Sequence, residues 1–269
     1  MQVAFDAARV AVTMASLIYG SWSDYRTREV SNILWVIFAP ISLALTITEF
    51  LLYDPTLWSS FGISLALTTA IAFALFYSGG FGGADSKALI CIAMALPFYP
   101  TNMALPIIGE ASPISQMFFP VTVFSNGIIF SAGAALIILG INIVDRFRSG
   151  KPLFQDDHRD EPFWKKALVL VTGYRMPITK LKEKWHIYPL EDIEVDADGH
   201  EQRRLMLLPK DEGRDKVMER LEEAAASGKI ELRIWATPGL PMLIFITLGL
   251  LCAFVFGDIV WVFVRLLLG

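Results

Sequence analysis

The sequence predicts an all-α membrane protein of six transmembrane helices, with a small α+β cytoplasmic insertion between helices five and six. Three observations carry that expectation. The 269 residues are 54% hydrophobic and 19% charged, with mean hydropathy +0.51, too apolar for an ordinary soluble domain. Apolar windows near the about 20 residues needed to cross a hydrocarbon core of roughly 30 Å recur along the chain. Most of the 23 Lys and Arg are gathered into one late segment.

The windows run from Val3 to Ser23, Asn32 to Tyr53, Trp58 to Tyr77, Ala84 to Pro100, Val121 to Asp145 and Leu240 to Leu267. The first has no basic leader, since Asp6 precedes Arg9, and no small-residue cleavage site before Trp22 and Asp24, so it is expected to be a retained span. The fourth is the weakest. Pro97, Pro100 and Pro106 punctuate it, predicting a short helix followed by an irregular apolar loop.

Positive charge sets the expected orientation, because cytoplasmic loops carry the excess of Lys and Arg. The first loop holds Arg26 and Arg28, the third Lys87, the second and fourth none, and the fifth most of the rest. Both termini are therefore expected outside. The chain divides by composition into residues 1–146 with five spans, a cytoplasmic domain over 147–235, and a last span over 236–269. Within the domain, His186 to Val195 and Gln202 to Pro209 read as strands joined by an Asp198-Gly199 turn. Asp211 to Ser227 reads as an amphipathic helix and Lys229 to Trp235 as a further strand.

A net charge of −4 gives no basic footprint for phosphates, so nucleic acid is excluded as a partner. Cys91 and Cys252 sit far apart inside apolar runs and read as packing residues. Glu194, Asp196 and Asp198 before Gly199 imitate half of a calcium loop, but its twelfth position falls on Leu205. His158, His186 and His200 lack a compact ligand spacing, so no metal and no cofactor are expected. Asp156, Asp157, Asp160 and Glu161 could attract a basic peptide or simply be solvated.

Two carboxylates at the ends of apolar windows stand out. Asp24 closes the first window in Ser23-Asp24-Tyr25-Arg26-Thr27-Arg28-Glu29-Val30-Ser31-Asn32, and Asp85 opens the fourth in Gly82-Gly83-Ala84-Asp85-Ser86-Lys87. The charge pattern places both at the same face. Asp85 is also a natural first-turn acid, and Asp24 could pair with Arg26 or Arg28 in the headgroups. Two aspartates acting together can hydrolyse a peptide, one taking a proton from water while the other protonates the carbonyl or leaving nitrogen. Gly79, Gly80, Gly82 and Gly83 supply backbone that a substrate can approach closely. Lys87 could orient Asp85 or reach to the headgroups.

At these residues the chain resembles the type IV prepilin peptidases. Asp24 to Asn32 is similar to their first motif, D-x-R-x-R-x-[IV]-[PS]-N, and Gly82 to Lys87 to their second, G-x-[GA]-D-x-K. Gly173-Tyr174-Arg175, Tyr188-Pro189-Leu190-Glu191 and Trp235 to Pro241 resemble segments of the archaeal branch, the preflagellin peptidases. The resemblance implies a metal-independent aspartic endopeptidase with Asp24 and Asp85 as its catalytic pair. Gly82, Gly83, Ala84, Lys87 and Arg26 would support the loop or the substrate. It implies membrane-inserted archaellin- or pilin-like precursors as partners, cut after a short basic leader at the cytoplasmic face. Ala84 stands where presenilin-like relatives carry a second glycine. The chain also lacks the paired CxxC motifs of relatives that N-methylate their product, so proteolysis without methyl transfer is expected. A rival from another class is a proton-coupled transporter using Asp24 and Asp85 as a protonation relay. The absence of an internal repeat and the placement of both acids at one face count against it.

Overall fold

The computed structural model describes the chain except residues 104, 108–109, 185, 196–200, 208–212, 240 and 269. Two compact units emerge, one of residues 1–131 and 241–269, the other of residues 132–240.

The first unit is helical. Its elements are α1 (Gln2–Thr27), α2 (Asn32–Leu52), α3 (Trp58–Tyr77), α4 (Gly83–Ala95), α5 (Pro113–Met117) and the start of α6 (Phe119–Ser149), with α10 (Met242–Val255) and α11 (Ile259–Leu268) returning at the end of the chain. Helices α1, α2, α3 with its leading turn from Pro55, and α6 are long and apolar enough to cross a membrane. The bent pair α10 and α11 makes five if counted as one span. The expected count of six thus reduces to four or five by length and composition.

Helix α4 accounts for the shortfall. Its 13 residues reach only about 20 Å at 1.5 Å per residue. It packs against α1, α2, α3 and α10, and Ala88, Leu89, Cys91, Ile92, Ala93 and Ala95 are all buried. A helix enclosed by others needs neither full length nor a lipid-facing surface, provided its free carbonyls find donors. Thr46 Oγ1 donates to Met94 O at 2.8 Å, and Ser64 Oγ donates to Pro97 O at 3.1 Å.

The expected last span is one apolar run in sequence but two helices in space, bent by 55°. Gly257 takes φ +82 at the break, a conformation that other L-residues resist. Asn126 braces both sides, donating to Gly257 O at 2.9 Å and accepting from Ile259 N–H at 3.1 Å. Gly127 on α6 and Gly249 on α10 allow the two backbones to touch, since a Cβ on Gly249 would collide with Val123 O and Gly127.

The second unit holds the rest of α6, then α7 (Phe163–Thr172), β1 (Tyr174–Pro177), α8 (Ile178–Glu183), β2 (Tyr188–Pro189), β3 (Glu191–Val195), β4 (Glu201–Leu205), α9 (Arg214–Ala226) and β5 (Arg233–Thr237). One sheet runs β1-β5-β2 and the other pairs β3 with β4, all antiparallel. The expected hairpin is present with Glu191 opposite Leu205 and Val195 opposite Glu201; its Asp198-Gly199 turn lies outside the described residues. The expected strand from His186 to Val195 is two strands in different sheets. Leu190 is the joint, donating its N–H to Trp235 O while its carbonyl accepts from Met206 N–H, each at 2.8 Å. The amphipathic helix appears as α9, burying Val217, Met218, Leu221 and Ala224. The last strand begins four residues later than expected, at Arg233.

Candidate active site

Asp24 lies in the last turn of α1, and that helix ends in an ordered polar hook. Arg28 adopts the left-handed conformation at φ 54 and donates its N–H to Asp24 O at 2.9 Å. A non-glycine residue there carries roughly 1–2 kcal/mol of strain, so surrounding contacts must hold it. Ser23 Oγ and Thr27 Oγ1 supply them, both donating to Glu29 O, at 2.8 and 3.0 Å. Ser31 then accepts from Ile33 N–H at 3.3 Å and starts α2. The first motif is thus a helix stop, a short hook and a helix start.

Asp85 is the third residue of α4. Its Oδ2 accepts from Gly82 N–H at 3.0 Å, closing the first turn. Ser86 Oγ reaches back to Ala72 O at 3.2 Å, fastening the turn to α3. Gly82 has little spare room, since a Cβ there would lie 3.2 Å from Asp85 Oδ2. Gly79, at φ +76, is the glycine of this loop whose backbone needs the left-handed region.

The two motifs meet. Helices α1 and α4, which carry Asp24 and Asp85, pack together in the helical unit. Lys87 Nζ donates to Asn32 Oδ1 at 2.6 Å, tying the second motif to the end of the first. Lys87 therefore neither bonds Asp85 nor hangs free. Arg26 is exposed and stacks over the Trp22 ring at 5.2 Å, whereas Arg28 is the cation whose charge acts on Asp24. Gly83 and Ala84 form the first turn of α4 beside Asp85, with Ala84 packed against the core.

Sequence reasoning singled out the aspartates and offered Arg28 as a partner of Asp24, but passed over Asn32, Ser23 and Thr27. Their signal was available only as spacing within the first motif. Of the remaining candidates, Glu161 is buried, accepting from Leu205 N–H at 2.9 Å and pairing with Lys165 at 3.1 Å, a structural use. The side chains of Asp156 and Asp157, and all of Asp196, Asp198 and His200, lie outside the described residues. No group of three metal-ligating side chains occurs among the described residues.

Residues 11–142 match the sequence pattern of the type IV leader peptidase family, and residues 165–259 match that of the archaeal peptidase A24 C-terminus, type II. The chain belongs to the type IV leader peptidase family. Both aspartates fall in the first matched stretch and all five strands in the second. Similar proteins include the preflagellin peptidase of Methanococcus maripaludis, 24% identical over 249 residues, covering 90% of this chain and 92% of the relative. That of Methanococcus voltae is 24% identical over 255 residues, covering 92% and 94%. That of Methanocaldococcus jannaschii is 23% identical over 243 residues, covering 90% and 91%. Family and apolar helices together make this chain a multi-pass membrane protease.

Proposed function

We propose that this leader peptidase is an aspartic endopeptidase that removes the short basic leader from archaellin- or pilin-like precursors at the cytoplasmic face of the membrane. The observation that supports this most is the packing of α1 against α4, tied by the Lys87–Asn32 bond, which gathers the two distant aspartate motifs in one helical unit. In the reaction, one carboxylate removes a proton from water, and the resulting hydroxide attacks the scissile carbonyl carbon. The other, entering protonated, gives its proton to the carbonyl oxygen and then helps deliver one to the leaving nitrogen. A shared proton satisfies both roles, because two like charges held close favour single protonation.

The precursor class rests on the similar proteins described above, all preflagellin peptidases. A substrate of this kind presents its basic leader where acids and water are available, at the end of the membrane helices. The same reading counts α4 among six spans, divides the chain at 146/147 and 235/236, and places the 147–235 domain in the cytoplasm with both termini outside. It includes no methyl transfer and no metal. Substrate-free enzyme would keep Asp24 and Asp85 too far apart to share one water, with α4 and its glycine loop moving on binding.

The deciding experiment incubates full-length enzyme in vesicles with a full-length precursor and reads the product mass. Loss of one basic leader by the wild type, and none by Asp24→Asn or Asp85→Asn, supports the reading. Equal cleavage by either variant overturns the pair. Activity abolished by EDTA and restored by zinc would overturn the metal-free mechanism.

A further inference from the structure

The helical unit holds a second polar centre, remote from the aspartate pair. Asp6 and Arg9 sit in the first turns of α1, 18 and 15 residues before Asp24, which is about 27 and 22 Å along a helix. Glu49 faces them from the last turns of α2. All three are buried, with 1%, 6% and 3% of their surface exposed. Arg9 Nη2 contacts Asp6 Oδ1 and lies 2.7 Å from Glu49 Oε2. One guanidinium therefore serves two carboxylates.

This triad lines a cavity of about 450 Å³ that opens between the start of α1, the end of α2 and the turn before α3. Arg9 is the sole basic residue among those lining it, against Asp6, Glu49 and Asp54. A buried charge without full compensation is costly, by several kcal/mol for an ion taken out of water. The remaining bonds do not remove the imbalance. Asp6 Oδ2 accepts from Asn102 Nδ2 at 3.1 Å, and Asp54 Oδ2 accepts from Gln2 Nε2 at 2.9 Å. Glu49, with acceptor sites for about four bonds, has Arg9 as its one ion-pair partner among the described residues, and its Oε2 makes no aligned hydrogen bond there. On the donor side, Arg9 Nε is buried with no partner.

The unmet needs of this site are specific. Three carboxylates share one guanidinium, Arg9 Nε lacks an acceptor among the described residues, and Phe50, Ile63, Phe98 and Tyr99 offer an apolar wall. A divalent metal fits poorly, since a guanidinium already occupies the space between the carboxylates. We propose that this cavity binds a primary ammonium with an oxygen two carbons away and an apolar arm, the chemistry of an ethanolamine ester or ether. The ammonium supplies a second cation beside Glu49, the oxygen accepts from Arg9 Nε, and the arm lies on the aromatic wall. A lipid headgroup and a free amine share this chemistry.

The probe is 2-phenoxyethylamine, with 2-phenoxyethanol as its uncharged match and 3-phenylpropylamine as its match without the oxygen. Calorimetric titration of full-length enzyme in detergent should show saturable binding of the probe, at least tenfold weaker binding of the alcohol, and weaker binding of the propylamine. Glu49→Gln should weaken the probe at least tenfold. Because that change could disturb folding by unbalancing Arg9, Ile63→Trp provides a second variant that fills the cavity without touching the triad, and it should abolish binding. Displacement of the probe by phosphatidylethanolamine vesicles and not by phosphatidylglycerol vesicles would identify a lipid headgroup; displacement by soluble ethanolamine alone would identify a free amine. No binding, equal binding of the alcohol, or undiminished binding in Ile63→Trp overturns the site.

Discussion

Glu191 in the strand-bearing unit and Asp85 in the helical unit are both acids at the start of an element, yet their oxygens are used in opposite ways. Glu191 is fully buried, with both carboxylate oxygens engaged. Its Oε1 accepts from Trp235 N–H, its Oε2 accepts from Arg203 Nε, and His158 Nε2 lies 3.2 Å away. Asp85 commits Oδ2 to Gly82 N–H, and among the described residues no hydrogen bond reaches its Oδ1 or either carboxylate oxygen of Asp24. A carboxylate with both oxygens engaged by fixed donors stabilises structure and has little capacity for a proton or a water. One left half-free costs stability and keeps that capacity. If the proposed mechanism holds, this contrast separates structural from reactive acids more sharply than burial does.

The largest expected effect tests the open pair. Asp24→Asn and Asp85→Asn should each lower the rate of leader removal about 10²- to 10⁴-fold, the usual worth of a general acid or base. Melting temperatures should stay within a few degrees of the wild type, because few bonds are lost. Precursor mass shifts and thermal unfolding measure the two quantities together. A variant that unfolds while its residual folded fraction still cleaves would reverse the comparison and make that aspartate the structural one.

Glu191→Gln should show the mirror image. Removing one charge from a buried, hydrogen-bonded set costs about 3 kcal/mol, here concentrated on the sheet that Trp235 anchors. Amide exchange across β5 should accelerate, with turnover per folded molecule unchanged. Unaltered exchange at Trp235 would show that its bond to Glu191 is dispensable.

These acids also mark how far the sequence could be read. Asp24 and Asp85 were legible because charge at the end of an apolar run is rare and the spacing of their neighbours is distinctive. The hairpin β3-β4 and helix α9 were legible because alternation and a periodic apolar face are local signals. The division at Leu190 was not, since a strand that changes sheets looks like one continuous strand until its partners are known. The short α4 followed by a proline-punctuated loop was legible, but its enclosure by other helices was not, for a related reason. Apolar composition registers burial, and burial by protein and burial by lipid leave the same mark. The triad of Asp6, Arg9 and Glu49 likewise needs two helices side by side before it exists.

A smaller effect sharpens what holds the open acid in place. Gly82→Ala places a Cβ 3.2 Å from Asp85 Oδ2, so the carboxylate must shift by a few tenths of an ångström. Because a misplacement of about 1 Å can cost about 10²-fold in rate, a loss of about tenfold in kcat is expected. Gly80→Ala is the control, since its nearest neighbours would be at 3.5 Å or more and its φ is not positive. Initial rates for the pair distinguish position from flexibility. Equal losses would mean that stiffening the loop, not moving Asp85, slows the reaction.

The smallest effect concerns Glu161, an acid with both oxygens engaged like Glu191 but with a partly exposed partner. Burial pushes its carboxyl upward, yet the Leu205 N–H and the Lys165 ammonium outweigh that and hold it below the ordinary value of 4.5. A carboxylate lowered on folding contributes stability in full above the unfolded value, and that contribution disappears as pH falls through the lower folded value. Wild type should therefore exceed Glu161→Gln in stability by a constant margin from pH 7 down to about 5. The margin should shrink as pH drops below 4.5. Glutamine can still accept from Leu205 N–H, so the margin isolates the charge, and Lys165 is exposed enough for solvent to limit it to about 1 kcal/mol. Subtracting one protein from the other matters because every carboxylate titrates in this range and the common background cancels. Amide exchange at Leu205, followed in both proteins from pH 7 to pH 3, reads the margin where the bond is made. A difference that widens as the pH falls would require a folded carboxyl raised above 4.5, and would place Glu161 with the half-satisfied acids instead of those with both oxygens engaged.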